Sequence, residues 1–531
     1  MKLNRPSPFH AWLFRIAGVV CATVIGGFCA TDKPVSPTPD KKSDASAEFF
    51  ADPTVRLFKI EIPETGMTAL RRSPRTYVKG TIVEGGRVLA NVGVHLKGMG
   101  SFRSVDEKAS FAVKFDKFVP GQKYFGLTKL MFNNSVQDPT CLAELLATGL
   151  FRDAGLPAAR VTHARVQLNE RDLGLYVVIE GMNKPFLKQH FKSAKGNLYE
   201  GYLQDIDSPL DQDGGASKDQ ADVRALLAAC TVPDLSERFK RLNAVLDVDR
   251  FISFAAMEML IGHWDGYAIH TNNYRLYHDP GSDKMVFITH GLDWAFRRPN
   301  LALEPPMKSI VGRAVMQTPD GQKLYHERIG TLFTNVFKVP TITRRMDQAL
   351  ARVRSAGLKS TEIARIDKEA AIMRDRIVLR AKRVAGQLAG LPPIPLKFGV
   401  DGLAGLTGWR EESDRGEPVL DQPEVDGKQT LHIKADGGRS RASWRTQVYL
   451  VRGRYRFEGL VRTVALNNGS VALRISGDPR SLRIGDSTDW RPLSHEFEVE
   501  DAGADVEFVC ELYAVQGEAW FNLDSLNVRR L

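Results

Sequence analysis

The sequence predicts an α+β protein in two parts, a bilobal domain followed by an all-β domain, and three observations support this. Residues 55–180 contain short runs with alternating apolar positions, and the residues after 181 carry apolar side chains at helical spacing. After the Pro-rich stretch LPPIPL (391–396), the short alternating runs return. These changes of period predict a strand-rich lobe, a helical lobe with a cleft near residues 180–300, and an appended β-sandwich or jelly roll.

In the first lobe, seven short segments with alternating apolar positions are the predicted strands. They are VRLFKIEI, YVKGTIV, VLANVGVHLKG, SFAVKFD, LTKLMFNN, HARVQLN and GLYVVIE. One helix interrupts them, from Pro139 to about Ala154, because leucines recur there at helical spacing and Gly155 ends the run.

The second lobe is predicted from four helical segments and one strand pair. The helical segments are DQADVRALLAACT, LSERFKRLNAVL, VDRFISFAAMEMLIGHW and residues 323–391, and the strand pair is NNYRLYHD with KMVFITHGLDW. The strands predicted after it are TLHIKA, WRTQVYLV, GRYRFEGLVRTV, VALRISG, LSHEFEVE, ADVEFVCELYA and AWFNLDSLNVRRL. We therefore assign residues 47–392 to the bilobal domain and residues 397–531 to the β-sandwich.

The composition is that of a folded protein. The chain has 531 residues, of which 43% are hydrophobic and 26% charged, which excludes a disordered chain and a polytopic membrane protein. The formal net charge is +10, but the basic residues are dispersed and form no long run, so we expect no nucleic-acid partner.

The first 30 residues predict export. The basic segment MKLNRPSPFHAWLFR precedes the apolar run 16–30, which is the order found in a secretory signal peptide. This run is a few residues shorter than the ~20 that a spanning helix needs, so an uncleaved membrane anchor stays open as an alternative. We expect a periplasmic, cell-surface or secreted protein in which residues 31–46, rich in Pro, Ser, Thr and Lys, form a flexible linker.

The densest group of reactive side chains lies in residues 262–296. It contains Asp265, Asn272, Asn273, Asp293 and four of the eleven histidines. The order of these residues is that of the base and metal ligands of a phosphotransferase. An acid follows a helix, an amide comes several residues later, and a hairpin leads to a second acid before an aromatic residue. The spacing is close to the protein-kinase pattern without matching it, since Asp265 and Asn272 are seven residues apart.

Upstream segments supply the cations and the acid that such a site requires. Lys114 lies in the strand SFAVKFD, and Glu144 lies in the following helix as its candidate partner. The turn KGMGSFR follows a strand and carries Arg103, with Lys108 as a second cation for phosphate groups.

Together these segments resemble the CotH kinase family, atypical secreted kinases named for a bacterial spore-coat protein. The shared segments, in order, are LKGMGSFRS, KASFAVKFD, LTKLMFNNSVQDPT, LAELLATGLFRDAGLPAARV, LGLYVVIEGMNKPFL, GNLYEG, HWDGYAIHTNNYRLYHD and ITHGLDWAF. They cover roughly residues 90–300. The resemblance implies a protein-kinase-like fold that transfers phosphate from ATP to Ser or Thr of proteins, with Mg²⁺ or Mn²⁺.

The resemblance also implies a role for individual residues. Asp265 would be the catalytic aspartate, and Asp293 would bind the metal, with Asn273 or Asn272 as a second ligand. The residues expected near the nucleotide are Lys114, Glu144, Glu180, Arg103 and Lys108. One position departs from the family, which often has an Asp two residues before the metal aspartate, where this chain has Gly291.

Three other interpretations stay open. The glycine at 291 is compatible with an inactive kinase fold that serves as an envelope scaffold. The four histidines and two aspartates of residues 262–296 could instead form a zinc or iron site.

In the C-terminal domain, AWFNLDSLNVRRL resembles the last strand of carbohydrate-binding jelly rolls, which makes a polysaccharide or other surface ligand a candidate partner. The aromatic residues that would stack on a sugar are Trp409, Trp444, Trp490, Tyr513 and Trp520.

Overall fold

The structure of the protein is a computed structural model that describes residues 45–390, 395–478, 483–485 and 488–531. The predicted signal peptide or anchor (1–30) and nearly all of the predicted linker (31–46) lie outside the described residues. From Ala45 to Leu531 the chain forms one compact unit. Within the described part of the chain, no helix is both long and apolar enough to cross a membrane.

Seven strands near the N-terminus close into a barrel, in the order β1–β2–β3–β4–β5–β7–β6. They are β1 (Arg56–Glu61), β2 (Val78–Glu84), β3 (Arg87–Lys97), β4 (Ser110–Lys114), β5 (Lys129–Asn133), β6 (Val161–Leu168) and β7 (Arg171–Glu180). Neighbouring strands are antiparallel except β1 and β6, which pair in parallel. These are the seven strands that the alternating pattern predicts, because one face of each packs into the barrel interior around Phe58, Phe111 and Phe132.

The outer face of β3, β4, β5 and β7 is turned towards the helical half. Met131 on β5 and Val177 and Ile179 on β7 belong to or pack against the apolar core of that half. Because side chains alternate along a strand and Lys114 lies opposite both Gly93 and Lys129, the lysines at 97, 114 and 129 share this outer face. The barrel therefore presents a row of lysines towards the helical half.

The helices and a small sheet form the second half. The helices are α1 (Ala45–Ala51), α2 (Glu64–Arg72), α3 (Ala143–Asp153), α4 (Lys184–His190), α5 (Ala221–Cys230), α6 (Leu235–Val245), α7 (Val248–Leu260), α8 (Tyr267–His270), α9 (Ile310–Met316), α10 (Pro319–Asn335), α11 (Val339–Arg354) and α12 (Ser360–Leu388). In the sequence, α1 to α4 precede, separate or directly follow the barrel strands. Asp234 and Asp247 cap α6 and α7 by accepting hydrogen bonds from backbone N–H groups of their first turns. The confirmed fold class is thus α+β, with a strand-rich and a helical half.

A four-stranded sheet in the order β11–β10–β8–β9 faces the barrel lysines. Its strands are β8 (Leu198–Gly201), β9 (Asp211–Gly214), β10 (Tyr274–Asp279) and β11 (Lys284–Thr289). The predicted strand pair corresponds to β10 and β11. The other two were not predicted, because each has four residues and β9, with the sequence DQDG, lacks apolar side chains.

The C-terminal region is all-β, as predicted. Its strands are β12 (Leu403–Gly405), β13 (Arg410–Arg415), β14 (Val419–Asp421), β15 (Glu424–Val425), β16 (Lys428–Ala435), β17 (Ser440–Asn467), β18 (Ser470–Ile475), β19 (Arg483–Ile484), β20 (Arg491–Ala514), β21 (Gln516–Asn522) and β22 (Asn527–Arg530), with a 3-10 turn at Leu523–Ser525. Segments predicted as separate strands merge in β17, which continues through a bulge between Val451 and Gly453. The core contains Trp444, Phe457 and Phe508.

Candidate functional site

Asp265 lies in the short connection between α7 and α8. The buried carboxylate of Glu258, on α7, accepts hydrogen bonds from the backbone N–H groups of Tyr267 (2.9 Å) and Ala268 (3.0 Å), and so holds the first turn of α8 against α7. Gly262 allows the chain to leave α7 with φ +64, a conformation that favours glycine. The position of Asp265 is therefore fixed from both sides.

The carboxylate of Asp265 is held by the two asparagines that the sequence singled out. Asn273 Nδ2 donates to Asp265 Oδ2 at 2.8 Å and to its backbone oxygen at 2.9 Å, and Asn272 Nδ2 donates to Oδ1 at 3.3 Å. Burial raises the pKa of Asp265, and the two amides oppose that shift. The structure thus brings Asp265, Asn272 and Asn273 together, with the weaker hydrogen bond at Oδ1.

Asp293 follows β11 and lies in the same group. With its amide oriented to satisfy both neighbours, Gln137 donates to Asp293 Oδ2 at 3.1 Å and accepts from Trp294 Nε1 at 3.2 Å. Burial, and then the neighbouring carboxylate of Asp138, raise the pKa of Asp293 to about 6, while Arg297 opposes the shift. A partly exposed carboxylate with a raised pKa between cationic neighbours is a candidate ligand for a divalent cation.

Glu144, on α3, reaches the segment that carries Asp293. Its Oε2 accepts a hydrogen bond of 2.5 Å from the backbone N–H of Leu292, next to Asp293. Burial and the charge of Asp293 raise the pKa of Glu144 to about 8, and Lys97 opposes the shift. The structure therefore places Glu144 in the site, although its electrostatic partner is Lys97 and not Lys114.

Lys97, at the end of β3, occupies the place that the sequence analysis gave to Lys114. It is half-buried and donates a hydrogen bond to Asn133, and desolvation within the site lowers its pKa against the opposing charges of Glu144 and Asp293. The ammonium of Lys114 instead lies 4.0 Å from Asp116, and its side chain is 40% exposed. Lys97 is opposite Ser110 and Lys114 is opposite Gly93, so the two lysines lie at opposite ends of the same face.

The structure gives Arg103 and Lys108 other partners than a nucleotide phosphate. Arg103 Nη2 donates to the backbone oxygen of Asp414 in β13 at 2.7 Å. Lys108 lies over the ring of Tyr176 at 5.3 Å, and burial lowers its pKa, which the charge of Glu362 on α12 opposes. Both were assigned by their nearness in sequence to a glycine turn, which does not determine the direction of a long side chain.

Glu180 is a structural residue of the barrel. It is 1% exposed, forms an ion pair of 2.6 Å with Arg160, and accepts a further hydrogen bond of 3.0 Å from Gln189. Both oxygens of its carboxylate are therefore engaged within the barrel region. The expectation that Glu180 borders the nucleotide stays a prediction.

Several charged residues that sequence reasoning missed face the lysine row from the small sheet. Arg275, on β10, pairs with Glu200 of β8 at 2.5 Å and with Asp213 of β9 at 2.6 Å. Burial lowers the pKa of Lys129, and the charges of Asp213 and Glu200 oppose that shift. Since β8 and β9 have no recognisable strand pattern, only the sheet pairing brings these residues to the cleft.

Asp293, Asn272 and Asn273 carry oxygen atoms of the kind that bind a hard divalent cation. The Oδ1 of Asn272 is buried and has no hydrogen-bond partner among the described residues. Asn273 directs its amide nitrogen to Asp265 and its oxygen towards the α-carbon of Gly291. Mg²⁺ prefers oxygen ligands and is usually held by one or two carboxylates together with substrate phosphates, so the residues present fit such an ion.

The four histidines have different environments. His263 is fully buried, whereas His270, His278 and His290 are partly exposed. Desolvation lowers the pKa of His263 to about 3 and that of His290 to about 4. No group of three or more His, Cys, Asp or Glu side chains that could hold a metal is found in the part of the chain that the structure describes. The geometry therefore gives no support to the alternative of a histidine-based zinc or iron site.

The backbone conformation at position 291 and the packing around it explain why this residue is a glycine. Its φ is +64, and a Cβ at this position would overlap Oδ1 of Asn273. The glycine thus allows Asn273 to approach the segment before Asp293. The absence of a side chain at 291 is part of how this site is packed.

We expect Gly291→Asp, which restores the residue frequent in the family, to impair the site. The new side chain would displace Asn273 and add a strain of about 1–2 kcal/mol at a positive φ. The measurement is the affinity for Mn²⁺ in the presence of ATP, beside Gly281→Asp in the exposed β10–β11 turn as a control. Tighter binding by Gly291→Asp than by the wild type would contradict this expectation.

Three of the five residues proposed for a sugar-stacking face pack within the C-terminal domain. Trp444 is in the core, and Trp409 packs against the core and stacks on Phe457. Both faces of the Trp520 indole are covered. Its ring centroid lies 4.7 Å from the centroid of the His432 ring and 5.7 Å from the guanidinium carbon of Arg462. A covered indole cannot stack on a sugar ring without rearrangement.

The nitrogen of the Trp490 indole donates to Asp426 at 3.3 Å, and the ammonium of Lys428 lies 5.8 Å from its ring centroid. Tyr513, on β20, lies opposite Arg441 of β17 and Ser470 of β18. Trp490 directly precedes β20 and Tyr513 lies within it, and both residues are partly exposed.

The site groups two aspartates, two amides, a half-buried lysine and a glutamate of α3, at the place where the strand-rich half meets the helical half. Such a site and fold are those of a kinase-like protein. The family described as CotH kinase protein matches residues 94–385, which is more than half of the chain. The chain belongs to this CotH kinase family.

A curated relative is spore coat protein homolog 1 of Rhizopus delemar, with 26% identity over 183 residues. The alignment covers 30% of this chain and 29% of that protein, so the chain spans less than a third of the length of this relative.

Two solved structures illustrate the likeness of the two regions. The proinflammatory kinase CtkA of Helicobacter pylori aligns with 55% of this chain and 96% of its own, at 8% identity and a TM-score of 0.28. TmCBM61 in complex with β-1,4-galactotriose aligns with 24% of this chain and 90% of its own, at 13% identity and a TM-score of 0.19. At such scores we draw nothing about function from either structure.

Proposed function

We propose that this protein is a protein kinase that transfers the γ-phosphoryl group of ATP to Ser or Thr hydroxyls of envelope or extracellular proteins. The observation that carries the proposal is the grouping of Asp265, Asp293 and Lys97 in one partly exposed site, with Glu144 in electrostatic contact with Asp293 and Lys97. Phosphoryl transfer needs a base at the acceptor hydroxyl, oxygen ligands for a cation and a cation at the phosphates. Each requirement has a side chain in this group.

Asp265 is the proposed catalytic base. The acceptor hydroxyl would approach Oδ1, which has only the 3.3 Å hydrogen bond from Asn272, and the proton would move to this oxygen as the hydroxyl oxygen attacks the γ-phosphorus. The bond between the γ-phosphorus and the β–γ bridging oxygen would break in the same step, and ADP would leave with the bonding electron pair. The shorter hydrogen bond from Asn273 to Oδ2 keeps the carboxylate oriented. The raised pKa makes Asp265 a better proton acceptor than an exposed aspartate.

Asp293 and Asn273 would hold the cation, with Asn272 as the alternative amide ligand. A bound Mg²⁺ or Mn²⁺ supplies charge neutralisation at the phosphates. The backbone bond from Leu292 to Glu144 fixes the segment before Asp293. Lys97 would contact the phosphates, since it lies within the electrostatic reach of both Glu144 and Asp293.

Lys97 and Lys114 form a matched pair for testing this assignment. We expect Lys97→Met to reduce phosphoryl transfer by about 10²-fold, because it removes the cation at the phosphates. Lys114→Met should stay close to the wild type, since that side chain is half-exposed at the other end of the strand face. The measurement is the initial rate of label transfer at saturating ATP. Equal losses in the two variants would contradict the assignment of Lys97.

The location and domain boundaries are further parts of the proposal. The N-terminal sequence supports export, with residues 1–30 as signal peptide or anchor. Residues 47–392 would form the kinase-like domain and residues 397–531 the β-sandwich. A polysaccharide or other surface ligand of the β-sandwich stays a prediction, since the covered ring of Trp520 favours no particular sugar.

The function is tested by labelling with ATP that carries the label either in the γ- or in the α-phosphate. The full chain is incubated with a casein-type substrate and Mg²⁺ or Mn²⁺, and label is measured on the substrate and on the chain itself. We expect label from γ-labelled ATP alone. Measurable ATP binding without label from either position would favour the inactive scaffold, and label from the α-phosphate would indicate nucleotidyl transfer.

A further inference from the structure

Strand β13, at the start of the C-terminal β region, contacts three separate elements of the kinase-like part. Glu412 forms an ion pair with Arg297, which lies four residues after Asp293. The backbone oxygen of Asp414 accepts a hydrogen bond of 2.7 Å from Arg103. Glu411 pairs with Lys368 of α12 at 2.6 Å. One strand thus contacts the segment after the metal aspartate, the glycine turn after Lys97 and the last helix.

Arg297 connects this strand to the loop that carries Gln137 and to the segment that carries Asp293 and Trp294. Its guanidinium donates to the backbone oxygen of Gln137 and lies 4.3 Å from the centroid of the Trp294 ring. Gln137, in turn, donates to Asp293 Oδ2 and accepts from the indole of Trp294. Glu412, Arg297 and Gln137 therefore form a continuous chain of polar contacts that ends on the carboxylate of Asp293.

The ion pair between Arg297 and Glu412 is largely shielded from solvent, so its loss would affect the residues around it. The side chains are 9% and 11% exposed, and Arg410 lies 2.9 Å from the other oxygen of Glu412. Although burial raises the pKa of Glu412, Arg297, Arg445 and Arg410 together lower it to about 2, so the carboxylate is ionised at physiological pH. Loss of one charge of a buried pair leaves the other uncompensated, so the neighbours of Arg297 would have to rearrange.

The glycine turn is tied to the same network. A Cβ on Gly100 would lie 3.0 Å from the side-chain oxygen of Gln137, in the amide orientation that satisfies Asp293 and Trp294, so the turn packs directly against this amide. Arg103, at the end of the turn, is bound to β13 through Asp414. The position of the turn after Lys97 therefore depends on the same strand as the position of Asp293.

We propose that Glu412 is a positioning residue of the phosphotransfer site, and that the C-terminal β region is a working part of the kinase and not only a targeting module. Through Arg297, Glu412 fixes the segment that presents Asp293 and the amide of Gln137. It touches neither the nucleotide nor the acceptor. This inference rests on the proposed function, because it assigns Asp293 to the cation of the nucleotide complex.

The test uses the full chain and four variants. Glu412→Gln and Arg297→Gln each remove one charge, and the double variant removes both. Glu496→Gln is the control, because Glu496 lies on β20 and forms an exposed ion pair with Arg456. For each chain we measure the melting temperature, the Mn²⁺ affinity in the presence of ATP, and kcat and KM for label transfer. We expect Glu412→Gln to weaken Mn²⁺ binding about tenfold and to lower kcat about tenfold or more, as for other lost positioning contacts. Glu496→Gln should match the wild type.

The double variant separates positioning from stability. Because it removes one charge of each sign, the net charge of the cluster stays that of the wild type, and the double variant should regain much of the melting temperature that each single variant loses. A positioning role predicts that its Mn²⁺ affinity and kcat stay low, whereas a merely structural role predicts that they recover together with the stability. Recovery of both would overturn the inference.

The remaining outcomes are also decisive. Wild-type affinity and kcat in Glu412→Gln would overturn the inference and leave the proposed function intact. A wild type that binds Mn²⁺ with ATP but transfers no label would overturn the proposed transfer, while the comparison of affinities would still decide the role of Glu412. A wild type that neither binds nor transfers would overturn both.

Discussion

Asp265→Asn is expected to abolish phosphoryl transfer and to leave ATP binding close to that of the wild type. The substitution preserves the size of the side chain but removes the proton acceptor, and general base catalysis contributes about 10²–10⁴-fold to a rate. We therefore expect kcat to fall by at least about 10²-fold with little change in the affinity for ATP. The measurement combines label transfer with a direct titration of ATP binding.

Asp283→Asn is the matched control for this substitution. Asp283 lies in the turn between β10 and β11, has a side chain that is 90% exposed, and adopts a positive φ that asparagine tolerates. This variant should transfer label at the wild-type rate. If Asp265→Asn kept a substantial fraction of the wild-type kcat, another group would have to accept the proton.

Asp293→Asn is expected to lose Mn²⁺ binding and label transfer together. The carboxylate is the one ionisable ligand proposed for the cation, and a neutral amide would bind a hard divalent cation far more weakly. We expect the Mn²⁺ affinity in the presence of ATP to fall by about 10²-fold or more, as expected when a first ligand is lost. A variant that bound Mn²⁺ as the wild type does would exclude Asp293 as a ligand.

The same substitution should raise the stability of the metal-free chain at alkaline pH. The pKa of Asp293 is raised to about 6 by burial and Asp138, so the folded state holds this proton more tightly than the unfolded state, where the value is ordinary. The stability of the wild type therefore falls as the pH rises from about 4 to 6, at a cost of up to about 3 kcal/mol above that window. Asn lacks this cost. The difference in unfolding free energy between variant and wild type should be largest at pH 8 and smaller at pH 5.

The order of strands and helices could be read from the sequence because it follows from local rules. Seven alternating segments became the seven barrel strands, and leucines at helical spacing marked α3, which runs from Ala143 to Asp153. The same local reading failed at β8 and β9, where four residues are too few to show a period. It also divided β17 at a bulge, because Gly453 is typical of a turn although the strand continues.

Within the site, the sequence indicated the residues that lie close together in the chain. Asp265, Asn272 and Asn273 are separated by a single turn of helix, so the hydrogen bonds between them are local. Gln137 and Asp138 were missed because they lie in a loop with no periodic pattern, about 150 residues before Asp293. Sequence spacing carries no signal for such a contact.

The sequence by itself determined the α+β class, the barrel strands and the order of the candidate base and metal ligand. Tertiary structure alone decided which lysine meets Glu144 and where Arg103 points. Lys97 and Lys114 share one face of the barrel, and the pairing register and the packing of α3 place Lys97 beside Glu144. Arg103 is bound to a strand 311 residues away, because the direction of a long side chain is set by the partners that folding brings to it.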